Sequence, residues 1–154
     1  MKKVCVLHHT KYLGGGTKSF IDLLNMLKET YDVIACIPKG ANEIVDLLQE
    51  NAINYYEVSS VIPLFPYYSG SSSLISKSLV KTIYRLKDQQ GFVDEINALN
   101  PSVLIFNSIV TTISAGRLDP QIKKICFVIE TFKRTFVDNI FKKILERYFV
   151  GVAF

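Results

Sequence analysis

No apolar run in this sequence approaches the ~18 residues needed to span a bilayer. The opening Met1-Lys2-Lys3 is basic, as in a secretory leader, but the apolar stretch behind it stops at Leu7, short of the ~7–15 residues of a leader's apolar segment. These two absences set the expectation of a cytoplasmic protein. Cysteine is scarce: Cys5, Cys36 and Cys126 are odd in number, show no metal-ligand spacing and each sit inside an apolar run. That pattern excludes a disulfide framework and a cysteine metal site, and predicts buried thiols in a reducing compartment. Neither internal repeats nor a linker interrupts the chain. Two phosphate-binding signatures are missing as well. There is no G-x-G-x-x-G, and the one glycine cluster lacks the G-K-[ST] ending of a P-loop.

What is present is ordinary for one globular domain of 154 residues, with 49% hydrophobic and 21% charged side chains. The net charge of +4 is uneven. Residues 1–76 hold six basic and seven acidic side chains, whereas residues 77–154 hold twelve and seven. The second half is therefore the one suited to an anionic surface or ligand.

The chain is organised around its first unit, Lys2 to Lys39. An apolar run from Val4 to Leu7 leads through His8-His9 into Gly14-Gly15-Gly16. Phe20, Leu23, Leu24 and Leu27 follow at helical spacing, and Val33 to Ile37 forms a second apolar run. This reads as strand, glycine loop, helix, strand, with Thr17 capping the helix. Glycines there allow a ligand to approach backbone N–H groups, and the positive end of the helix dipole points the same way. The plainer alternative is a turn that needs glycine for positive φ. Lys18 adds a charge to the site or is simply solvated. His8 and His9 end the strand near the same rim, and satisfied imidazoles fit them better than a catalytic base.

Asn42 begins a short helix with Ile44, Leu47 and Leu48 inward, and Asn54–Val58 is a third strand. Residues 59–73 form a long loop with Phe65, Pro66, Tyr67 and Tyr68, read as packing or mobility or as a binding loop. A helix from Leu74 to Lys87 carries Lys77, Lys81 and Arg85 outward. Gly91 interrupts, and a further short helix ends at Asn100-Pro101. Val103–Phe106 is wholly apolar, as in the buried middle of a parallel sheet, and delivers Asn107 and Ser108 to the edge that bears the glycine loop. A short helix over Ile109–Gly116 precedes a fifth strand, Lys124–Ile129, that ends at Glu130-Thr131. A helix from Phe132 to Phe149 places Phe136, Ile140, Ile144 and Tyr148 inside and Lys142, Lys143 and Arg147 outside. Gly151 starts another strand. The alternation predicts an α/β fold: a Rossmann-like, doubly wound, mostly parallel sheet with helices on both faces.

The strand, Gly14-Gly15-Gly16, the amphipathic helix and the phrase Asn100-Pro101-Ser102-Val103-Leu104-Ile105-Phe106-Asn107-Ser108 resemble the amino-terminal domain of family 4 glycosyltransferases of GT-B architecture. Ser102 stands where that family usually has Asp, and Val128-Ile129-Glu130-Thr131 keeps a Glu but lacks the family's His. The resemblance covers nearly the whole chain. It implies that residues 1–154 are one domain, the acceptor-binding front half of a longer, retaining, metal-independent hexosyltransferase of bacterial polysaccharide or glycoconjugate synthesis. The missing carboxyl-terminal domain would hold the nucleotide sugar, so this domain would bind no cofactor and be inactive alone. Gly14, Gly15, Gly16, Thr17, Lys18, Asn107, Ser108, Glu130 and Thr131 would bind acceptor or phosphate, with no catalytic residue and no metal. Glu130 would meet a sugar hydroxyl, or else pair with Lys133 or Arg134. A sugar or lipid-linked acceptor would bring the domain to the inner face of the cell membrane as a peripheral protein, and no nucleic-acid partner is expected. The remaining alternative is a non-enzymatic or nucleotide-binding Rossmann-like domain. Against dinucleotide binding, the second strand ends in Pro38-Lys39 where a ribose-binding acid would stand.

Overall fold

A computed structural model describes residues 1–64, 89–127 and 136–153, with only the backbone described for 136–141 and 152–153. Among the described residues six strands are formed: β1 (Lys3–Leu7), β2 (Asp32–Pro38), β3 (Asn54–Val58), β4 (Val103–Phe106), β5 (Lys123–Phe127) and β6 (Gly151–Ala153). They pair in the order β3-β2-β1-β4-β5-β6, and every pairing is parallel. Parallel neighbours need a crossover connection. The described ones carry α1 (Gly15–Lys28), α2 (Asn42–Glu50), α3 (Gln89–Leu99), a 3₁₀ segment (Ile109–Arg117) and α4 (Phe136–Tyr148). This is the Rossmann-like α/β sheet that the alternation predicts.

Period-2 alternation sorts the central strands onto two cores. Val4, Val6, Val33, Ala35, Ile37 and Ile105 meet Phe20 and Leu24 of α1 and Ile44 and Leu48 of α2. Cys5, Leu7, Cys36, Leu104 and Phe106 face the other way, onto Phe92, Val93 and Ile96 of α3 and Ala115 of the 3₁₀ segment. Two-sided burial is why β1 and β4 read as unbroken apolar runs. Cys5 and Cys36 are buried in the second core and Cys126 in a small cluster with Ile109, and no disulfide joins them. Cys36 is pushed up by its hydrogen bond with Cys5 and by burial, so it packs as a neutral thiol.

The structure corrects three local expectations. Helix α1 begins at Gly15, two residues before Thr17. Gly91 does not interrupt a helix but lies within α3, where a Cβ would stand 2.6 Å from Ser60 Oγ. Its missing side chain makes room for the end of the β3 connection. Tyr148 is 36% exposed, with its ring against Gly116 and Arg147 5.4 Å over its face. It covers the 3₁₀ segment from outside. The inward positions near the end of α4 are taken by Leu145 and Phe149, which pack on Ile109 and Cys126. Phe65 to Tyr68, the Leu74–Lys87 helix with Lys77, Lys81 and Arg85, and Val128 to Arg134 lie outside the described residues.

Candidate functional site at the carboxyl edge of the sheet

The strand order reverses between β1 and β4: successive strands run outward from β1 to β3, and the chain then returns to pair β4 on the other side of β1. In open α/β sheets the crevice outside such a switch point is where ligands bind. The two residues that leave these strands are His8 and Asn107. Their backbones stay in the sheet, with His8 N donating to the Cys36 carbonyl at 2.9 Å and Asn107 N to the Leu7 carbonyl at 3.1 Å.

Both side chains are enclosed, at 3% exposure for His8 and 1% for Asn107. The His8 ring stacks on Phe20 of α1, with centroids 4.4 Å apart and planes 18° from parallel. Its Nε2 lies 2.7 Å from Thr10 Oγ1, and its Nδ1 lies 3.4 Å from Asn107 Nδ2. Burial, and next the neighbouring His9, push its pKa down to about 4. The imidazole is therefore neutral at physiological pH.

Beside this pair stands the start of α1. Gly14 is the N-cap residue with φ −157°, an extended conformation open to any residue. Among the described glycines only Gly40 has positive φ, so the cluster does not answer to a left-handed turn. Nor is it crowded: a Cβ added at Gly14 or Gly15 would meet nothing within 4 Å. What glycine provides here is open space in front of the first helical N–H groups. Gly15 and Gly16 occupy the first two helical positions, whose N–H groups have no carbonyl one turn earlier to bond. Thr17 does not cap the helix from the N-cap position. It sits at the third helical position, where its Oγ1 accepts from Gly14 N at 3.0 Å while its own N–H donates to the Gly14 carbonyl at 2.9 Å. This reciprocal closure fixes the start of the helix, with Gly15 exposed and Gly16 half-buried.

Lys18 points to solvent and pairs with Asp22 at 3.0 Å. An exposed i,i+4 pair contributes little to stability, and Lys18 is a solvated side chain beside the site. Ser108 is fully buried, and its Oγ accepts from Val110 N at 3.3 Å at the start of the 3₁₀ segment. Its carbonyl accepts from Thr111 Oγ1 at 2.7 Å. Ser108 is thus drawn into the turn that ends β4. Glu130 and Thr131 lie outside the described residues.

Of the residues singled out in the sequence, the structure brings Gly14, Gly15, Gly16, Thr17, Asn107 and Ser108 to one edge. His8 is held by Thr10 and Phe20. Phe20 reads from the sequence only as a core position, and Thr10 has no sequence signal beyond its place two residues after His8, which allows a local hydrogen bond. The exposed Tyr12 and Leu13 form the outer rim of the same loop. Among the described residues no group of His, Cys, Asp and Glu could hold a metal ion, and no helix is long and apolar enough to cross a membrane. A surface hollow of about 440 Å³ opens at the other end of the sheet between Met1, Lys28, Tyr31 and Asn54. It lies away from the switch point, and the Lys28 ammonium beside it is committed to the Asn51 carbonyl at 2.7 Å.

No family model matches the chain, and no curated protein matches it. Solved structures do. HepE of Anabaena in complex with UDP-glucose superposes with a TM-score of 0.62 at 10% identity, over 99% of this chain and 37% of HepE. The spinosyn rhamnosyltransferase SpnG with thymidine diphosphate gives 0.54 at 10% identity, over 94% of this chain and 41% of SpnG. The glycosyltransferase VinC with dTDP gives 0.52 at 10% identity, over 94% and 39%. At such identity the likeness establishes the fold. The chain spans well under half the length of these neighbours.

Proposed function

We propose that this chain is the amino-terminal, acceptor-binding domain of a nucleotide-sugar-dependent glycosyltransferase. The finer reading is a GT-B enzyme of the family 4 type, retaining, that builds a bacterial polysaccharide or glycoconjugate from the cytoplasmic side. The observation that carries the proposal is the edge at the β1/β4 switch point. Open glycine amides at the start of α1 lie next to a buried, uncharged His8–Asn107 pair. Uncharged donors and acceptors around an open space suit a hydroxyl-rich ligand better than a strongly ionic one. The fold neighbours support the reading, since they include two glycosyltransferases and a protein bound to UDP-glucose. Their greater length leaves room for the second domain that the reading requires.

In this reading the domain positions the acceptor, and the nucleotide sugar sits on the other domain. Gly15 and Gly16 offer N–H donors to acceptor oxygens or to a donor phosphate that approaches across the cleft. The domain alone neither transfers nor hydrolyses sugar. A lipid-linked acceptor would bring the enzyme to the membrane face, where α4 presents Lys143 beside the exposed Lys142–Glu146 pair at 3.8 Å to anionic lipid. The test is calorimetry of the chain with UDP-glucose and dTDP-glucose, beside transfer assays of the protein that carries the second domain. The expected result is no low-micromolar binding by the chain and transfer only by the longer protein. Tight binding of a nucleotide sugar to the chain by itself would overturn the division of labour.

A further inference from the structure

The polarity of the buried chain at the switch point can be assigned hydrogen by hydrogen. Thr10 Oγ1 lies 3.3 Å from the Tyr12 carbonyl and 2.7 Å from His8 Nε2. A carbonyl only accepts, so the single hydroxyl hydrogen belongs to Tyr12 and Thr10 receives its other bond from Nε2–H. With the ring neutral and Nε2 protonated, Nδ1 is an acceptor. It faces the Asn107 carboxamide at 3.4 Å, and only the NH₂ end of that group can donate to it. The carboxamide oxygen, Oδ1, is then left buried with no hydrogen-bond partner. The opposite tautomer would reverse every step. Nδ1–H would draw Oδ1 inward, turn the NH₂ group away from the ring, and take the hydroxyl hydrogen of Thr10 from the Tyr12 carbonyl.

Here we infer that His8 is a positioning residue that holds the Asn107 carboxamide with Oδ1 uncommitted, so that this corner accepts a hydrogen from a ligand hydroxyl and does not bind an anion. This rests on the acceptor-site reading and sharpens it. Two kinds of recognition divide the edge: amide donors at Gly15 and Gly16 on one side, and one neutral acceptor at Asn107 on the other. A polyol meets both once one of its hydroxyls displaces what encloses Oδ1, whereas a phosphate, which at neutral pH brings mainly acceptor oxygens, meets only the glycines. A buried acceptor without a partner is a standing cost that a ligand hydroxyl removes. The His8 ring is well placed to enforce the choice. Phe20 stacked on one face and Thr10 bound at Nε2 restrain it from rotating to offer its other nitrogen.

Nuclear magnetic resonance of the chain tests this in two steps. Ring ¹⁵N shifts of His8 should report the neutral Nε2–H tautomer at pH 7. The Nδ1–H form or an imidazolium would overturn the inference whatever the ligand does. Methyl α-glucopyranoside is then titrated against inorganic phosphate while the Asn107 side-chain NH₂ and the Gly15 and Gly16 amides are followed. The glucoside should move all three, and phosphate only the glycines. His8→Phe, which keeps the stack on Phe20, should abolish the Asn107 response. His8→Gln, which again offers one acceptor and one donor, should restore it. Glycine shifts with a silent Asn107 would mean that a buried water alone satisfies Oδ1, which overturns the inference and leaves the acceptor site standing. An Asn107 response to phosphate would overturn it as well. Silence of all three with the glucoside would overturn both.

Discussion

Replacement of Glu95 is the sharpest test of how the α3 face of the sheet is held. This half-buried carboxylate accepts from Tyr56 Oη at 3.0 Å, Ser59 N at 2.8 Å, Ser60 N at 2.7 Å and Ser60 Oγ at 2.5 Å. All three donor residues belong to the end of β3 and its exit, so one side chain of α3 ties down the point where the chain leaves the sheet. Burial is the largest single influence on its ionisation and opposes it. The bonds from Ser60, Ser59 and Tyr56 together outweigh burial and hold the carboxyl below its usual range. A hydrogen bond to a charged group contributes roughly 1.5–3 kcal/mol taken singly. These four share one acceptor near solvent, where water replaces part of what is lost, so Glu95→Ala should cost about 2–3 kcal/mol in total. At ~2–4 °C per kcal/mol for a domain of this size, the midpoint should fall by about 5–10 °C. Glu95→Gln keeps the shape and loses the charge, and should cost about 1 kcal/mol.

The pH dependence fixes the sign. A carboxyl whose folded pKa is depressed contributes stability above its unfolded value, ~4.3, and that contribution fades as acid protonates the folded group. Urea unfolding of wild type and Glu95→Gln at neutral pH and at pH about 3 therefore should show a gap that closes in acid. Equal midpoints for wild type and Glu95→Ala at neutral pH would refute the clamp. A gap unchanged in acid would refute its ionic character.

Three further outcomes follow from the same geometry. Gly91→Ala gains up to ~1 kcal/mol of helix propensity, but its Cβ meets Ser60 Oγ at 2.6 Å and displaces it from Glu95; the net change measured by urea unfolding should be a loss, coupled to Glu95 in a double-mutant cycle. Gly15→Ala meets no atom within 4 Å and should leave the thermal midpoint unchanged or slightly raised, while the added methyl shields the amide and weakens the glucoside response. His8 should make the fold acid-sensitive: its pKa near 4 in the folded chain against ~6.5 unfolded means that the unfolded state takes up the proton first. Stability is then flat above about pH 6.5 and declines by up to ~3 kcal/mol toward pH 4. Urea titrations of His8→Phe should lack that decline.

The strands were legible because two-sided burial writes itself as consecutive apolar residues. Val103–Phe106 and Asn54–Val58 are read with the bounds that the structure shows. Helix starts were less legible, since a glycine run contains no capping side chain to mark the boundary. Thr17 looked like a cap because threonine usually caps from in front, whereas here it reaches back from the third position. Gly91 misled for a related reason: its role depends on Ser60, thirty-one residues earlier, and no periodicity records such a contact. The Glu95 clamp was invisible on the same ground, as two of its four donors are backbone N–H groups. At the candidate site, the ends of β1 and β4 were readable as neighbours at one edge. The burial of Asn107 and the commitment of Ser108 to a turn were not, because both depend on how the chain turns after β4.

The charge balance of that edge bears on the proposed division of labour between two domains. Among its described residues His8 is neutral, Asn107 and Ser108 are uncharged, and the Lys18 ammonium is exposed and paired with Asp22. What faces an anion is the positive end of α1, equivalent to roughly half an elementary charge and screened within a turn, together with the solvent-exposed Lys11 of the same loop. A nucleotide diphosphate carries more charge than these solvent-screened groups offset, and bringing it to this edge would strip water from the phosphates without full compensation. A sugar has no such penalty. Its hydroxyls exchange water for amide N–H donors and for the Asn107 oxygen at nearly even cost. The composition of the edge thus favours the uncharged partner in the proposed reaction and leaves neutralisation of the donor phosphates to groups supplied from across the cleft.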